Sequence, residues 1–242
     1  MNRVLNAAAA SAVVLVGAAA QADMVTATYL GAGASQYQQA GFSNALSWDS
    51  TASMTFYSLR LSEHRWDVGG KVVHTWCVQM FQGATNGTTY DFDVVEAEMV
   101  PQAPPAPGPM GVMKASLMRD AMSRWLDGDS RVIASAGSAN AAAAAFSALV
   151  WEISHENFGT SDIDVARERL SIDTGAFRAV LTGEALSIYG KMLASLGEGG
   201  WQWIDAEGWR SPTAQDQIRL VPAPGVLAAL ALIGAGSRRR RS

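Results

Sequence analysis

The stretch VPQAPPAPGPMG, residues 100–111, places five prolines within nine positions of the 242-residue chain. Proline fixes φ and lacks the N–H that a helix interior needs, so this density excludes a helix and favours an extended polyproline II connector on the surface. The residues before and after this stretch carry different hydrophobic periodicities. It therefore divides a strand-forming half of the chain from a helix-forming half.

Four runs before the proline-rich stretch are rich in Val, Thr, Tyr, Phe and Trp, which predicts β-strands. They cover residues 24–30, 54–61, 71–81 and 88–95. Asn86-Gly87 lies between the last two runs, and this dipeptide is typical of a hairpin turn. We therefore expect the third and fourth strands to form a hairpin.

Three runs after the stretch have apolar residues at helical spacing, at residues 112–126, 138–153 and 184–196. The second contains five consecutive alanines, which favour helix and allow close packing.

Two short strands with a turn at Gly175 are expected over residues 170–181, and a closing strand over 215–221. Together with the first half, these elements predict an α+β fold, a β-sandwich or β-barrel carrying a helical insertion, over residues 23–220.

Composition narrows the possible functions of this chain. It is 49% apolar and 17% charged, which is typical of a folded domain. Residues 23–220 contain 22 acidic and 13 basic residues, and such an acidic body argues against nucleic-acid binding. One cysteine cannot form an internal disulfide, and three scattered histidines do not form a zinc finger. We expect no metal and no cofactor.

The first 22 residues have the order of a secretory signal peptide. Arg3 is followed by a small apolar stretch and by Ala20-Gln21-Ala22, which fits the A-x-A cleavage pattern. We expect the mature protein to begin near Asp23 and to be exported.

The last 22 residues, 221–242, combine a short motif, an apolar helix of marginal length for a membrane span, and a basic end. This order resembles the PEP-CTERM sorting signal of exosortase substrates, with Ala223 at the position that is usually Glu. The residues that carry the resemblance are Val221, Pro222, Pro224, Gly225, Arg238, Arg239, Arg240 and Arg241. An ordinary tail anchor that stays in place is the alternative.

The resemblance implies an exosortase in the inner membrane as the partner of the C-terminal helix. It also implies removal of the tail after transient anchoring, and delivery to the cell surface or extracellular matrix, where exopolysaccharide is a further candidate partner.

Two strings in the body, TWCVQMF at residues 75–81 and AAFSALVWEIS at 144–154, resemble the PEP-CTERM relatives of the bacterial surface thioester domain. In that family a strand cysteine and a glutamine of a Q-x-x-apolar-W motif form an internal thioester that traps amines. Cys77 matches the cysteine and Trp151 the tryptophan. The glutamine position is held by Ser147, which has no carboxamide. Gln79, Gln82, Gln215 and Gln217 are the glutamines that could replace it.

Enzyme patterns are incomplete in this chain. Glu152 and His155 at i, i+3 would share a helix face, but no second copy completes a di-iron site, and a solvated helix end is the simpler interpretation. Asp91 and Asp93 share one strand face and could serve a glycosidase, or bind Ca²⁺ with Asp127 and Asp129. Three tryptophans could stack on sugars or fill the core: Trp201, Trp203 and Trp209.

The sequence therefore predicts a non-enzymatic exported protein of the surface or matrix, adhesive or envelope-structural, whose thioester pair has lapsed. One alternative is a covalent adhesion module in which Cys77 uses another glutamine. A secreted enzyme acting on polysaccharide is the third interpretation. For Cys77 itself, the alternatives are a buried core residue, a reactive thiol or an intermolecular disulfide.

Overall fold

A computed structural model describes residues 23–104, 106–133 and 138–221. The predicted signal peptide lies outside these residues, and so does the predicted sorting signal beyond Val221. In the part of the chain that is described, no helix is both long and apolar enough to cross a membrane.

Seven strands form one antiparallel sheet, of which six close into a barrel. The strands follow one another around the barrel in the order β1-β2-β3-β7-β6-β4, and β4 pairs with β1 again. β5 adds to the far end of β1, outside the closed ring. The bounds of the strands are β1 Met24–Phe42, β2 Tyr57–Val68, β3 Lys71–Cys77, β4 Thr89–Glu96, β5 Phe177–Val180, β6 Ala206–Arg210 and β7 Gln217–Leu220.

The predicted α+β class is confirmed, and of the two expected architectures the barrel is the one observed. The helices lie between strands in the chain order, with three of them between β4 and β5. Their bounds are α1 Gly111–Trp125, α2 Ala139–His155, α3 Ile163–Glu168 and α4 Gly183–Ser195, and a 3-10 turn spans Ala97–Met99.

Aromatic side chains fill the inside of the barrel. The Tyr29 and Trp66 ring centroids lie 4.8 Å apart, and Trp66 is 5.1 Å from Phe92. Phe92 in turn contacts Trp209 at 5.6 Å. Strand alternation explains this core, because every second residue of a barrel strand faces inward.

Helix α2 is the centre of the second and larger core. Every residue from Ala141 to His155 is buried, because α2 packs against β1, β2, β3 and β5 and against α1 and α4. The alanine run permits this close contact on all sides. Ser138 caps the helix by accepting a hydrogen bond from Ala141 N at 3.1 Å.

The expected hairpin between the third and fourth strands is wrong. β3 pairs with β2 and β7, whereas β4 pairs with β1 and β6. Asn86-Gly87 does form a turn, and Gly87 takes a φ of +80°, but its N–H donates to Tyr29 O at 2.8 Å on β1. The turn leads into β4 without joining it to β3.

The proline-rich stretch is not the extended connector that its composition predicts. Met110 N donates to Val100 O at 2.9 Å, so the two ends of the stretch meet. Both residues belong to the larger core, and burial of these apolar ends favours a closed loop. Gln102 N donates a hydrogen bond to Asp216, which ties the loop to the segment before β7.

One of the two strands expected over residues 170–181 is absent, since only β5 forms there. Gly175 has a φ of +107°, and a Cβ at this position would collide with the carboxylate of Glu156. The glycine lets the backbone pass close to the end of α2, where Ala176 N donates to Glu156 Oε2 at 3.0 Å.

Candidate functional site

A cavity of about 490 Å³ lies where the barrel meets α2. We call it the barrel cavity. Strands β1, β2 and β3 contribute Tyr29, His64 and Cys77, and α2 contributes Ser147 and Trp151. β1 is irregular beside it, between Tyr29 and Gly31 and again between Ala32 and Ser35, and Gly31 takes a φ of +98°. The bulged strand therefore forms one wall of the cavity.

The three residues singled out by the thioester-domain resemblance meet at this cavity. Cys77 is the last residue of β3, while Ser147 and Trp151 lie one helical turn apart on α2. The indole Nε1 of Trp151 donates to the carbonyl oxygen of Cys77 at 2.9 Å. This bond fixes the end of the strand against the helix.

The Cys77 thiol is buried, with 3% of the residue exposed. It donates to Gln79 O at 2.8 Å and accepts from Gln79 N at 3.3 Å. Burial raises the pKa of Cys77 to about 12, because a thiolate would lose its hydration there. The thiol is therefore protonated at neutral pH and is a poor nucleophile in this state.

The four glutamines that could replace the missing carboxamide differ in their placement. Gln82 and Gln215 line the barrel cavity together with Cys77. Gln217 lies opposite Cys77 in the β3–β7 pairing, but its carboxamide is already hydrogen-bonded, since its Oε1 accepts from Thr75 and its Nε2 donates to Gln215 O. The Nε2 of Gln79 donates to Gln102 O at 3.0 Å. Gln82 and Gln215 are thus the two that share a cavity with the thiol.

His64, like Arg60, is one of the cavity residues that sequence reasoning missed. It is 7% exposed, its ring lies 5.2 Å from that of Tyr29, and its Nδ1 has no hydrogen-bond partner among the described residues. Burial lowers the pKa of His64 to about 4, so the ring is neutral at pH 7. A lone histidine in a strand gives no local signal of this position.

A second, more open cavity of about 750 Å³ lies between α1 and the segment after α2. Lys114, Glu156, Asn157 and Phe158 line it, and Trp203 stands at its edge with 69% of its surface exposed. The Lys114 Nζ donates to Ser154 O at 3.0 Å, and burial lowers the pKa of Lys114 to about 8.

The three downstream tryptophans take different roles. Trp209 belongs to the barrel core, and Trp201 packs against the larger core, where Arg167 lies 5.8 Å from its ring. Of the three, Trp203 alone presents most of its ring to solvent.

The end of α2 is not solvated, contrary to expectation. Glu152, His155 and Glu156 are all buried. The segment that leads into β5 bonds both glutamates, whereas His155 Nε2 accepts from Met80 N at 3.3 Å. Burial raises the pKa of Glu152 well above its usual value, and the nearby Glu156 raises it further. Burial lowers the pKa of His155 to about 3, so this histidine is neutral and does not act as a cation at the helix end.

The remaining acidic pairs have structural partners. Asp91 and Asp93 lie on β4 on either side of the inward-facing Phe92, and they bond to Thr26 and Arg210. Asp127 and Asp129 both pair with Arg131. Within residues 23–104, 106–133 and 138–221, no cluster of three or more His, Cys, Asp or Glu side chains is placed to hold a metal ion.

Of the residues assigned to the sorting signal, Val221 is described. Its N–H donates to Asp205 O at 2.9 Å, directly after β7. The other sorting residues lie outside the described part.

Comparisons with models of protein families, with curated proteins and with solved structures found no match.

Proposed function

We propose that the chain is a non-enzymatic exported protein of the cell surface or extracellular matrix, with an adhesive or envelope-structural role. Its two ends support export and sorting, through the leader that ends at Ala22 and the arginine tail after Ser237. The partners in this proposal are an exosortase and the inner membrane during sorting, and exopolysaccharide or surface matrix at the destination.

The observation that supports the absence of a covalent reaction is that Cys77 and Ser147 line the same barrel cavity, where the resemblance requires a glutamine in place of the serine. A thioester forms when a thiolate displaces ammonia from a glutamine carboxamide. Ser147 has a hydroxyl at this position, and burial holds the thiol in its protonated form. The cavity therefore supports non-covalent binding better than acyl transfer.

Cell fractionation tests the export part of the proposal. We expect the protein at the cell surface or in the medium, with residues 1–22 removed. The variant Val14→Asp, which places a charge in the apolar leader, should accumulate in the cytosol as precursor, while Val14→Leu should be exported normally. Wild-type protein found in the cytosol with its leader attached would overturn the proposal.

A covalent adhesion module is the second candidate function. The observation that favours it is that Gln82 and Gln215 line the same cavity as Cys77, and that Gln82 Oε1 has no protein partner. Attack of the Cys77 sulfur on the carboxamide carbon would form the C–S bond and release ammonia. An incoming amine would then form an amide and return the thiol.

Methylamine labelling separates the two candidates. The covalent module predicts that wild-type protein acquires one methylamine at Gln82 or Gln215, and that Cys77→Ala abolishes the adduct. The non-covalent proposal predicts no adduct in either protein. Peptide mapping of the labelled wild type identifies the glutamine that carries the label. Gln39→Ala removes an exposed glutamine and is the control variant, which should give the same result as the wild type.

A further inference from the structure

We propose that the barrel cavity binds one acidic sugar unit, a hydroxyl-rich ring that carries a carboxylate, without forming a covalent bond. This inference rests on the proposed function, since it names the ligand class for a non-covalent matrix protein. The three observations that support it are unpartnered polar atoms, the sign of the charge and the shape of the site.

Two polar atoms at the cavity have no partner in the described residues, His64 Nδ1 and Gln82 Oε1. Buried polar atoms in folded proteins are nearly always hydrogen-bonded, so such atoms at a cavity call for a partner from outside the chain. Gln82 Oε1 can only accept, and the imidazole nitrogen can donate or accept according to its tautomer. Hydroxyl groups meet both requirements, because each is a donor and an acceptor.

The charge of the cavity favours an acid over an amine. Among the residues that the structure describes, no Asp or Glu lines it, although residues 23–220 contain 22 acidic residues. In the described part of the lining, the residue of fixed charge is Arg60, which is exposed. Arg60 Nε donates to Ser35 Oγ at 3.0 Å, and no other protein group among the described residues bonds its guanidinium. The remaining N–H groups match the geometry of a carboxylate.

The size and lining of the cavity fit a ring-shaped ligand. Its volume of about 490 Å³ lies within the usual range of small-molecule sites, and the junction of a barrel with other elements is a common place for one. Tyr29 and Trp151 add aromatic surface, while Ser62, Asn86 and Gln215 add further hydrogen-bonding groups. This mixture of aromatic and planar polar side chains suits the apolar and hydroxyl faces of a sugar.

Titration calorimetry on the full chain tests the proposal with four probes: methyl β-D-glucuronide, free glucuronate, methyl β-D-glucoside and methylamine. We expect saturable binding of the glucuronide, at least about tenfold tighter than the uncharged glucoside, because only the glucuronide pairs with Arg60. Free glucuronate should bind as tightly as the glycoside or more weakly. Binding of the free acid alone, or tightest binding of methylamine, would overturn the proposal.

Variants locate the site. Arg60→Gln should remove the preference for the glucuronide and leave glucoside binding unchanged, whereas Gln82→Leu should weaken both sugars. Gln39→Leu and Arg131→Gln, on exposed side chains outside the cavity, are the matched controls and should bind as the wild type does. Equal sugar binding by all five proteins, or no saturable sugar binding by the wild type, would contradict the proposal. Neither result bears on export or on the absence of a thioester, which fractionation and methylamine labelling test separately.

Discussion

The indole N–H of Trp151 donates to the main-chain carbonyl of Cys77 at 2.9 Å, and this bond joins the buried helix α2 to the end of strand β3. The two residues are 74 positions apart in the chain. The contact joins two of the four elements that form the barrel cavity, so its removal should affect the whole domain.

Trp151→Phe should lower the free energy of unfolding by about 1–3 kcal/mol, because it leaves the Cys77 carbonyl unpaired in a buried place and opens a small void. Trp203→Phe is the matched control, since Trp203 is exposed and should change stability by less than about 0.5 kcal/mol. Urea denaturation of both variants measures the difference. Similar losses in the two variants would show that the Trp151 bond does not stabilise the domain.

Cys77 should resist alkylation in the folded protein. Burial removes access to the sulfur and raises the pKa of its thiol to about 12, so little thiolate exists at pH 8. We expect labelling by iodoacetamide to be slower than in denaturant by at least about 100-fold. The measurement is unambiguous because the chain has one cysteine. Equally fast labelling in the native state would mean that the thiol is accessible.

Glu152→Gln should stabilise the protein at neutral and alkaline pH. Burial raises the folded-state pKa of Glu152. The wild type therefore loses stability as the pH rises from the unfolded-state pKa of this carboxyl through its folded-state pKa. The neutral amide has no such loss. Glu168→Gln, on an exposed side chain of α3, should have little effect. Thermal melts between pH 5 and pH 9 give the comparison, and an advantage of Glu152→Gln that shrinks with rising pH would refute this explanation.

His64 should contribute to acid sensitivity. Its folded-state pKa of about 4 lies below the unfolded value of 6.5, so the stability that depends on its neutral form is present above pH 6.5 and is lost as the pH falls towards 4. The full loss corresponds to about 3 kcal/mol.

The variant His64→Asn should therefore lose less stability than the wild type between pH 7 and pH 4. Urea unfolding at several pH values tests this, with pH 8 as the reference at which His64 is neutral in both states. Parallel curves for the two proteins would rule out a role for His64 in the acid response.

Local sequence patterns were sufficient to predict most of the strands and helices. Alternation predicted strands at all four upstream runs, and helical spacing predicted α1, α2 and α4, with Ser138 at the start of the second helix. These features depend on residues close together in the chain. The division at the proline-rich stretch likewise separated the β1–β4 half from the helices.

Strand pairing and burial depend on distant residues and could not be predicted in this way. Asn86-Gly87 specifies a turn, but it does not determine which strands pair on either side of it, so the expected hairpin was wrong. Glu152 and His155 have the composition of a solvated helix end, yet both are buried, Glu152 by the segment before β5 and His155 beside Phe42 and Met80. The closed proline-rich loop reflects burial of its ends, which outweighs the extended preference of its prolines.

The candidate site shows the same limit. The meeting of Cys77, Ser147 and Trp151 at one cavity agrees with positions taken from short motifs, although the functional meaning of those motifs stays a prediction. Arg60 and His64 lie on β2, outside both motifs, and join the site through the sheet that places β2 beside β3.

The intact mass of the protein recovered from the cell exterior tests the central claim most directly. Our account predicts a chain that begins at Asp23, whose mass equals that of the sequence between its two mapped ends and whose single thiol is alkylated after unfolding. A mass lower by about 17 Da with no free thiol would show a thioester formed with loss of ammonia, and would contradict the account.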